Sequence, residues 1–162
     1  MKTVVKENHG IVGKYKIITY KAGTKEILRQ TPWQKNLIML GTNTGKSLIL
    51  QRLAGNNTYS LNITHLDIGT GSTAPAVSDT ALTAAVARAS TTVATIVGAT
   101  LSLQFFLTDA ELANGSYNEI GTFVDGSAGL GTGKIFNHAL FGTTYVKATG
   151  EDTTIQVDFS LT

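Results

Sequence analysis

The chain has 162 residues, of which 42% are hydrophobic and only 15% charged, with 17 Gly, 2 Pro and no Cys. This length is enough for one domain with a buried core, the low charge excludes an intrinsically disordered chain, and the lack of Cys excludes disulfides and thiolate metal sites. A net charge of +2 hides an asymmetry: residues 1–52 carry ten Lys or Arg and two Glu, a net +8, whereas residues 53–162 carry three Lys or Arg and nine Asp or Glu, a net −6.

The N-terminus, MKTVVKENHGIVGKYK, starts basic but has no apolar run of signal-peptide length. No stretch approaches the ~20 apolar residues of a membrane span, so no membrane contact is expected. Lys14 and Lys16 alternate with Tyr15 and Ile17, the pattern of a half-exposed strand whose lysines guard an edge. Lys21-Ala22-Gly23-Thr24 reads as a hairpin turn, and Pro32 ends regular structure. Residues 1–35 are therefore expected to be a basic arm or hairpin serving assembly, with Lys14, Lys16, Lys21, Lys25, Arg29 and Trp33 as contacts. Residues 36–162 are expected to form the main domain. Residues 36–53 are the first stretch that reads as helical. Ile63, Leu66 and Ile68 fit a strand ending at Gly69-Thr70-Gly71, and residues 79–89, Ala-rich after Ser78 and Asp79, read as a short capped helix. Residues 91–107 are strand-like with a break at Gly98. Further strands are expected over 117–124, 134–141, 144–148 and 153–161, where Ile155, Val157, Phe159 and Leu161 alternate with Gln156, Asp158 and Ser160. The fold class that follows is all-β: an antiparallel β-sandwich, jelly-roll-like, with one or two short helices.

The chemistry-bearing motifs are weak. Gly41-Thr42-Asn43-Thr44-Gly45-Lys46-Ser47 follows an apolar run and precedes a helical stretch, as a phosphate-binding loop does, but it has three residues where that loop needs four between its first Gly and Gly-Lys-Ser. Asp67 would be the matching acid. Gly69-Thr70-Gly71 lacks the third Gly of a dinucleotide fingerprint, and Gly129-Leu130-Gly131-Thr132-Gly133 reads as a turn. His9, His65 and His138 are too far apart for a metal pair and read as surface or structurally bonded. No nucleophile elbow occurs, and Asp109 and Glu111 read as turn residues. No enzyme activity and no cofactor are expected. Trp33 with the Tyr residues would suit a sugar platform, the basis of a second reading as a module for host surface glycan. The basic residues are dispersed and carry no recognised motif, so nucleic acid is not an expected partner. The opposite charges of the two parts suggest complementarity between neighbouring copies.

One constellation is more specific. Leu66-Asp-Ile-Gly-Thr-Gly-Ser-Thr-Ala-Pro-Ala-Val-Ser-Asp-Thr-Ala-Leu82 leads to Ala87-Arg88, then to Glu119-Ile-Gly-Thr-Phe123, to Lys134-Ile-Phe-Asn-His-Ala-Leu-Phe141, to Lys147 and to the alternating last strand. Over residues 36–162 this resembles a family of small structural proteins of tailed-phage virions. The resemblance implies a β-sandwich acting as capsid decoration, collar, tail or fibre-attachment component. It would be assembled in the host bacterial cytoplasm and partnered by copies of itself and by other virion proteins. It marks Gly69, Gly71, Pro75, Asp79, Leu82, Arg88, Glu119 and Gly121 as the structural motif. The chain departs from the pattern at residues 84–87, Ala-Ala-Val-Ala, which lack the usual acid. Arg88, beside so many apolar groups, needs a carboxylate; Glu119 is the first choice and Asp79 the second.

Overall fold

The computed structural model describes residues 10–162. Its elements are β1 (Ile11–Lys21), β2 (Ile27–Gln30), β3 (Gln34–Ile38), helix α1 (Gly45–Leu53), β4 (Ile63–Gly69), β5 (Ala85–Val97), β6 (Thr100–Leu107), β7 (Gly115–Val124), β8 (Lys134–Lys147) and β9 (Glu151–Leu161). All pairings are antiparallel, in the order β1-β3-β8-β7-β4-β5-β6-β9, and β9 pairs back onto β1 from Ile11↔Leu161 to Lys21↔Glu151. Eight strands thus close into a barrel, and β2 is a short ninth strand on the same edge of β1 as β3, since β9 occupies the other edge along its whole length. The all-β, antiparallel expectation holds.

Two strands turn the corners of the ring. β3 pairs with β1 through Gln34, Lys35 and Asn36, then with β8 through Leu37 and Ile38. β5 pairs with β4 up to Ser90 and with β6 from Thr91 onward. Strands that change partners in this way join two packed faces into one closed sheet. Closure removes the free edges that two separate sheets would keep. Within residues 1–35, residues 11–21 are a stave of the barrel and residues 27–30 the short ninth strand paired to it; residues 1–9 lie outside the described residues, His9 among them.

Period-two alternation builds the core. Tyr15 and Ile17 of β1, Leu66 and Ile68 of β4, Leu103, Phe105 and Leu107 of β6, and Ile155, Val157 and Phe159 of β9 point inward and are buried, joined by Leu48 of α1. Leu161 shares the parity of Phe159 but is 66% exposed, because β9 has reached the end of the barrel. The hairpin turn after β1 forms as expected: Thr24 N–H donates to Lys21 C=O at 3.0 Å, and Gly23 supplies the positive φ of +70°.

The structure corrects three expectations about local structure. Of residues 36–53, expected to be helical, 36–38 belong to β3 and 39–44 to a loop, and helix α1 begins only at Gly45. Residues 79–89 are not helical; turns lead into β5 at Ala85. Thr83 and Ala84 donate their N–H groups to the Glu119 carboxylate at 3.1 and 2.7 Å, and Ala84 C=O accepts from Thr70 N–H at 3.0 Å. Groups a helix would need are held by partners remote in sequence. The two strands expected over 134–141 and 144–148 are one strand, β8. Its register to β7 slips from Glu119↔Leu140 to Tyr117↔Tyr145, a bulge that mimics a break in the sequence.

Candidate functional site

The motif residues of the sequence assemble around one buried carboxylate. Glu119, on β7, is fully buried, accepts hydrogen bonds from Gly71 N–H (3.1 Å), Thr83 N–H and Ala84 N–H, and lies within hydrogen-bond distance of His138 Nε2 (2.9 Å). His138, on β8 and also buried, reaches Asp79 with Nδ1 at 2.8 Å. The ring lies between the two acids, so these groups do not converge on a common point, and no metal cluster forms among the described residues. A Cβ at Gly69 or Gly71 would lie 2.6 or 2.3 Å from Glu119 Oε1, and one at Gly121 would lie 2.5 Å from Leu82 Cδ1. Gly69, Gly71, Asp79, Leu82, Glu119 and Gly121 therefore form one packed unit that ties the 70–84 loop to the barrel. Pro75 is partly buried within that loop.

Arg88 does not pair with Glu119 or with Asp79. It makes a bidentate pair with Asp67, Nε to Oδ1 and Nη2 to Oδ2 (3.0 Å), with the two side chains 4% and 0% exposed. The reason is register: Asp67 on β4 lies directly opposite Arg88 on β5. Arg88 Nη1 also donates to Ser127 C=O (2.7 Å) and Thr132 Oγ1 (2.6 Å), Gly131 N–H donates to Asp67 Oδ2 (2.9 Å), and the guanidinium covers the Phe123 ring. The glycine-rich 126–133 turn is thus pinned on an ion pair. Burial, then the nearby Arg88, push the His65 pKa below its usual value.

Two further ion pairs close the lower part of the ring. Lys147 is buried and donates to Asp109 Oδ1, holding that carboxyl below its ordinary range, and to Asn114 Oδ1 at 3.2 Å. Arg29 of β2 makes a bidentate pair with Glu151 and likewise lowers its pKa. Arg29 also donates to Val146 C=O at 2.6 Å, and Gln34 Oε1 accepts from Gly142 N–H at 2.9 Å. Beyond His138, side chains rather than a backbone ladder therefore bridge β8 to β1–β3.

The 41–47 loop is folded on itself. Gly41 C=O accepts from Thr44 Oγ1 (3.0 Å) and Ser47 Oγ (2.8 Å), Lys46 N–H donates to Met39 C=O (3.0 Å), and Gly41 N–H donates to Val77 C=O (3.1 Å). The backbone donors a phosphate would use face carbonyls of the chain. Asp67, the would-be acid of that motif, belongs to the Arg88 pair.

On the surface, the expected contact residues separate. Lys14 and Lys16 lie 4.3 and 4.9 Å from the Trp33 ring centroid. Lys21 approaches Glu26 at 4.0 Å, Lys25 is exposed in the hairpin turn, and Arg29 faces the β8 seam. Of the five Tyr residues, Tyr15, Tyr117 and Tyr145 are core residues, while Tyr20 and Tyr59 are partly buried. β2 has one backbone-paired edge, against β1; Ile27 and Leu28 are 54% and 46% exposed. At one end of the barrel an apolar recess of about 290 Å³ is lined by residues including Ile11, Ile49, Leu61, Phe136, Phe159 and Leu161.

Sequence reasoning missed the structural roles of Asp67 and Lys147, and it left His138 open between a surface and a structurally bonded residue. Asp67 and His138 carry a usable signal, a charged or titratable residue inside an apolar strand run, Leu-Asp-Ile and Phe-Asn-His-Ala-Leu. Comparison with protein-family models, with curated proteins and with solved structures finds no match to this chain.

Proposed function

We propose that the chain is a structural component of a tailed-phage virion, acting as a capsid decoration, collar, tail or fibre-attachment protein. It works by assembly with copies of itself and with other virion proteins, and it has no catalytic role. The virion assignment rests on the sequence resemblance over residues 36–162. The assembly role is carried by the free edge of β2, which borders the β8 seam. Its four residues are all exposed, two of them large and apolar, and the edge opposite β1 has no backbone partner strand among the described residues. Such an edge offers a row of N–H and C=O groups for strand addition by another chain. The buried Glu119, the Arg88–Asp67 pair and Lys147 support the same reading, since they fasten loops to the barrel. In this reading the two packed faces serve as a rigid, sandwich-like and jelly-roll-like body.

Native mass measurement of the full chain tests the proposal. Whole-number multiples of 17.1 kDa are expected, and Ile27→Lys with Leu28→Lys, which place charge on the edge, should shift the population to monomer without unfolding it. A wild-type chain that stays monomeric at every concentration and fails to join a particle removes the proposal.

A further inference from the structure

The structure redistributes the charge asymmetry of the sequence. Among the described residues, Asp67, Glu119, Glu151, Asp152 and Asp158 are buried, and Asp79 and Asp109 are held by His138 and Lys147. The exposed acids are Glu26, Glu111 and Asp125. The exposed bases are Lys14, Lys21, Lys25, Arg29, Lys35 and Arg52. The acidic part of the chain has spent most of its carboxylates inside, so a second copy offers few of them to the basic part of the first. Complementarity between copies, expected from the sequence, lacks its acidic half.

The basic excess is concentrated on the outer face of β1 and β3. Lys14 and Lys35 stand directly opposite each other across the two strands, and like charges in such a pair are destabilising. Lys16 follows on the same face of β1, and both β1 lysines approach Trp33. Among the described residues Lys14 forms an ion pair with Asp158, at 3.8 Å and with an Asp158 side chain only 11% exposed. We propose that this face, centred on Trp33, Lys14, Lys16 and Lys35, docks an acidic segment of a different protein. The charge excess selects an anion. Lys14 and Lys35 line a recess of about 530 Å³ together with Lys46, but two lysines already occupy the Trp33 ring, which disfavours single-stranded nucleic acid with its need for free stacking platforms. An exposed Trp flanked by bases suits a protein contact. The inference goes beyond strand addition at β2 and does not depend on it.

Trp33 is the only Trp in the chain, so its emission reports this face directly. The full chain is titrated with a ten-residue polyglutamate peptide and, separately, with a ten-nucleotide oligothymidylate. The peptide should change the emission saturably, with an affinity falling about tenfold between roughly 50 and 300 mM salt. Lys14→Thr with Lys35→Thr should weaken it about fivefold or more while the melting temperature stays level or rises, because the like-charge pair is relieved. Lys16→Gln should weaken it in the same direction and serves if the double variant does not fold. No emission change with the peptide at low salt overturns the proposal, as does tighter binding of the oligonucleotide. A change with protein concentration alone also overturns it, since a second copy would then cover the face. That last outcome leaves the assembly reading intact, whereas a chain that binds the peptide but stays monomeric and joins no particle removes the assembly reading and keeps this one.

Discussion

Arg88 and Asp67 face each other across β4 and β5, and both are almost entirely removed from solvent. The pair fixes the glycine-rich 126–133 turn, because Arg88 donates to Ser127 and Thr132 while Asp67 accepts from Gly131. Arg88→Ala strands a buried carboxylate and is expected to cost ~3–5 kcal/mol. Denaturant unfolding of a double-mutant cycle should give strong coupling between positions 88 and 67 and coupling near zero between 88 and 119. The reverse pattern would show that the register of β4 on β5 is wrong.

Glu119 holds the 70–84 loop. Glu119→Gln replaces one accepting oxygen with an amide, so backbone donors among Gly71, Thr83 and Ala84 lose their partner. A loss of roughly 2–4 kcal/mol is expected, as for hydrogen bonds to a buried charge. Amide exchange checks the mechanism: Thr83 and Ala84 should lose protection before the β9 amides do. Gly71→Ala should destabilise through the same contact, since its Cβ would meet the carboxylate.

Acid should loosen the side-chain-bridged seam. The hydrogen bond from Arg29 holds the Glu151 pKa below the ordinary carboxylate value, and Lys147 does the same for Asp109. A carboxyl with a lowered folded-state pKa adds stability above its unfolded pKa of about 4 and loses that contribution as pH falls through the folded value. The melting temperature should therefore be nearly flat from about pH 7 to 5 and drop below about pH 4. Arg29→Gln should lower it at neutral pH and converge on wild type at the acid end; a constant offset at every pH would contradict this account.

The 41–47 loop should be structural. Lys46→Ala is expected to change stability by no more than ~0.5 kcal/mol, and ATP should not raise the melting temperature of the wild type. Gly45→Ala should be severe, because Gly45 has φ +45° and its Cβ would stand 2.0 Å from Met39 O. ATP-dependent stabilisation lost in the Lys46 variant would refute the structural role.

Removing residues 1–9 should leave a folded barrel, whereas removing residues 1–30 should abolish folding. From the sequence alone the longer deletion is expected to be tolerated, as loss of an arm. The eleven pairs between β1 and β9 make it instead the loss of a stave. Circular dichroism of the two truncations decides between these.

Alternation along the chain determined the all-β class and most of the buried positions, because side chains of period two choose a face locally. It did so at Leu103 and Phe105 and at Ile155 to Phe159, and Gly23 and Gly98 marked turns through their conformational freedom. Of the eight motif residues expected as a set, Gly69, Gly71, Asp79, Leu82, Glu119 and Gly121 meet, Pro75 sits in the loop they hold, and Arg88 pairs elsewhere. What they meet around was not legible. Pairing partners depend on register between strands far apart in sequence, so only the tertiary structure decided that Arg88 faces Asp67, that His138 joins Asp79 to Glu119, and that β9 closes on β1. The same competition removed the helix expected over 79–89: a buried carboxylate 35 residues away offers Ala84 N–H a charged acceptor, and it outweighs the modest gain of a short Ala-rich helix. The charge asymmetry was plain in the sequence, but its meaning changed once folding placed the acids inside and left the lysines outside.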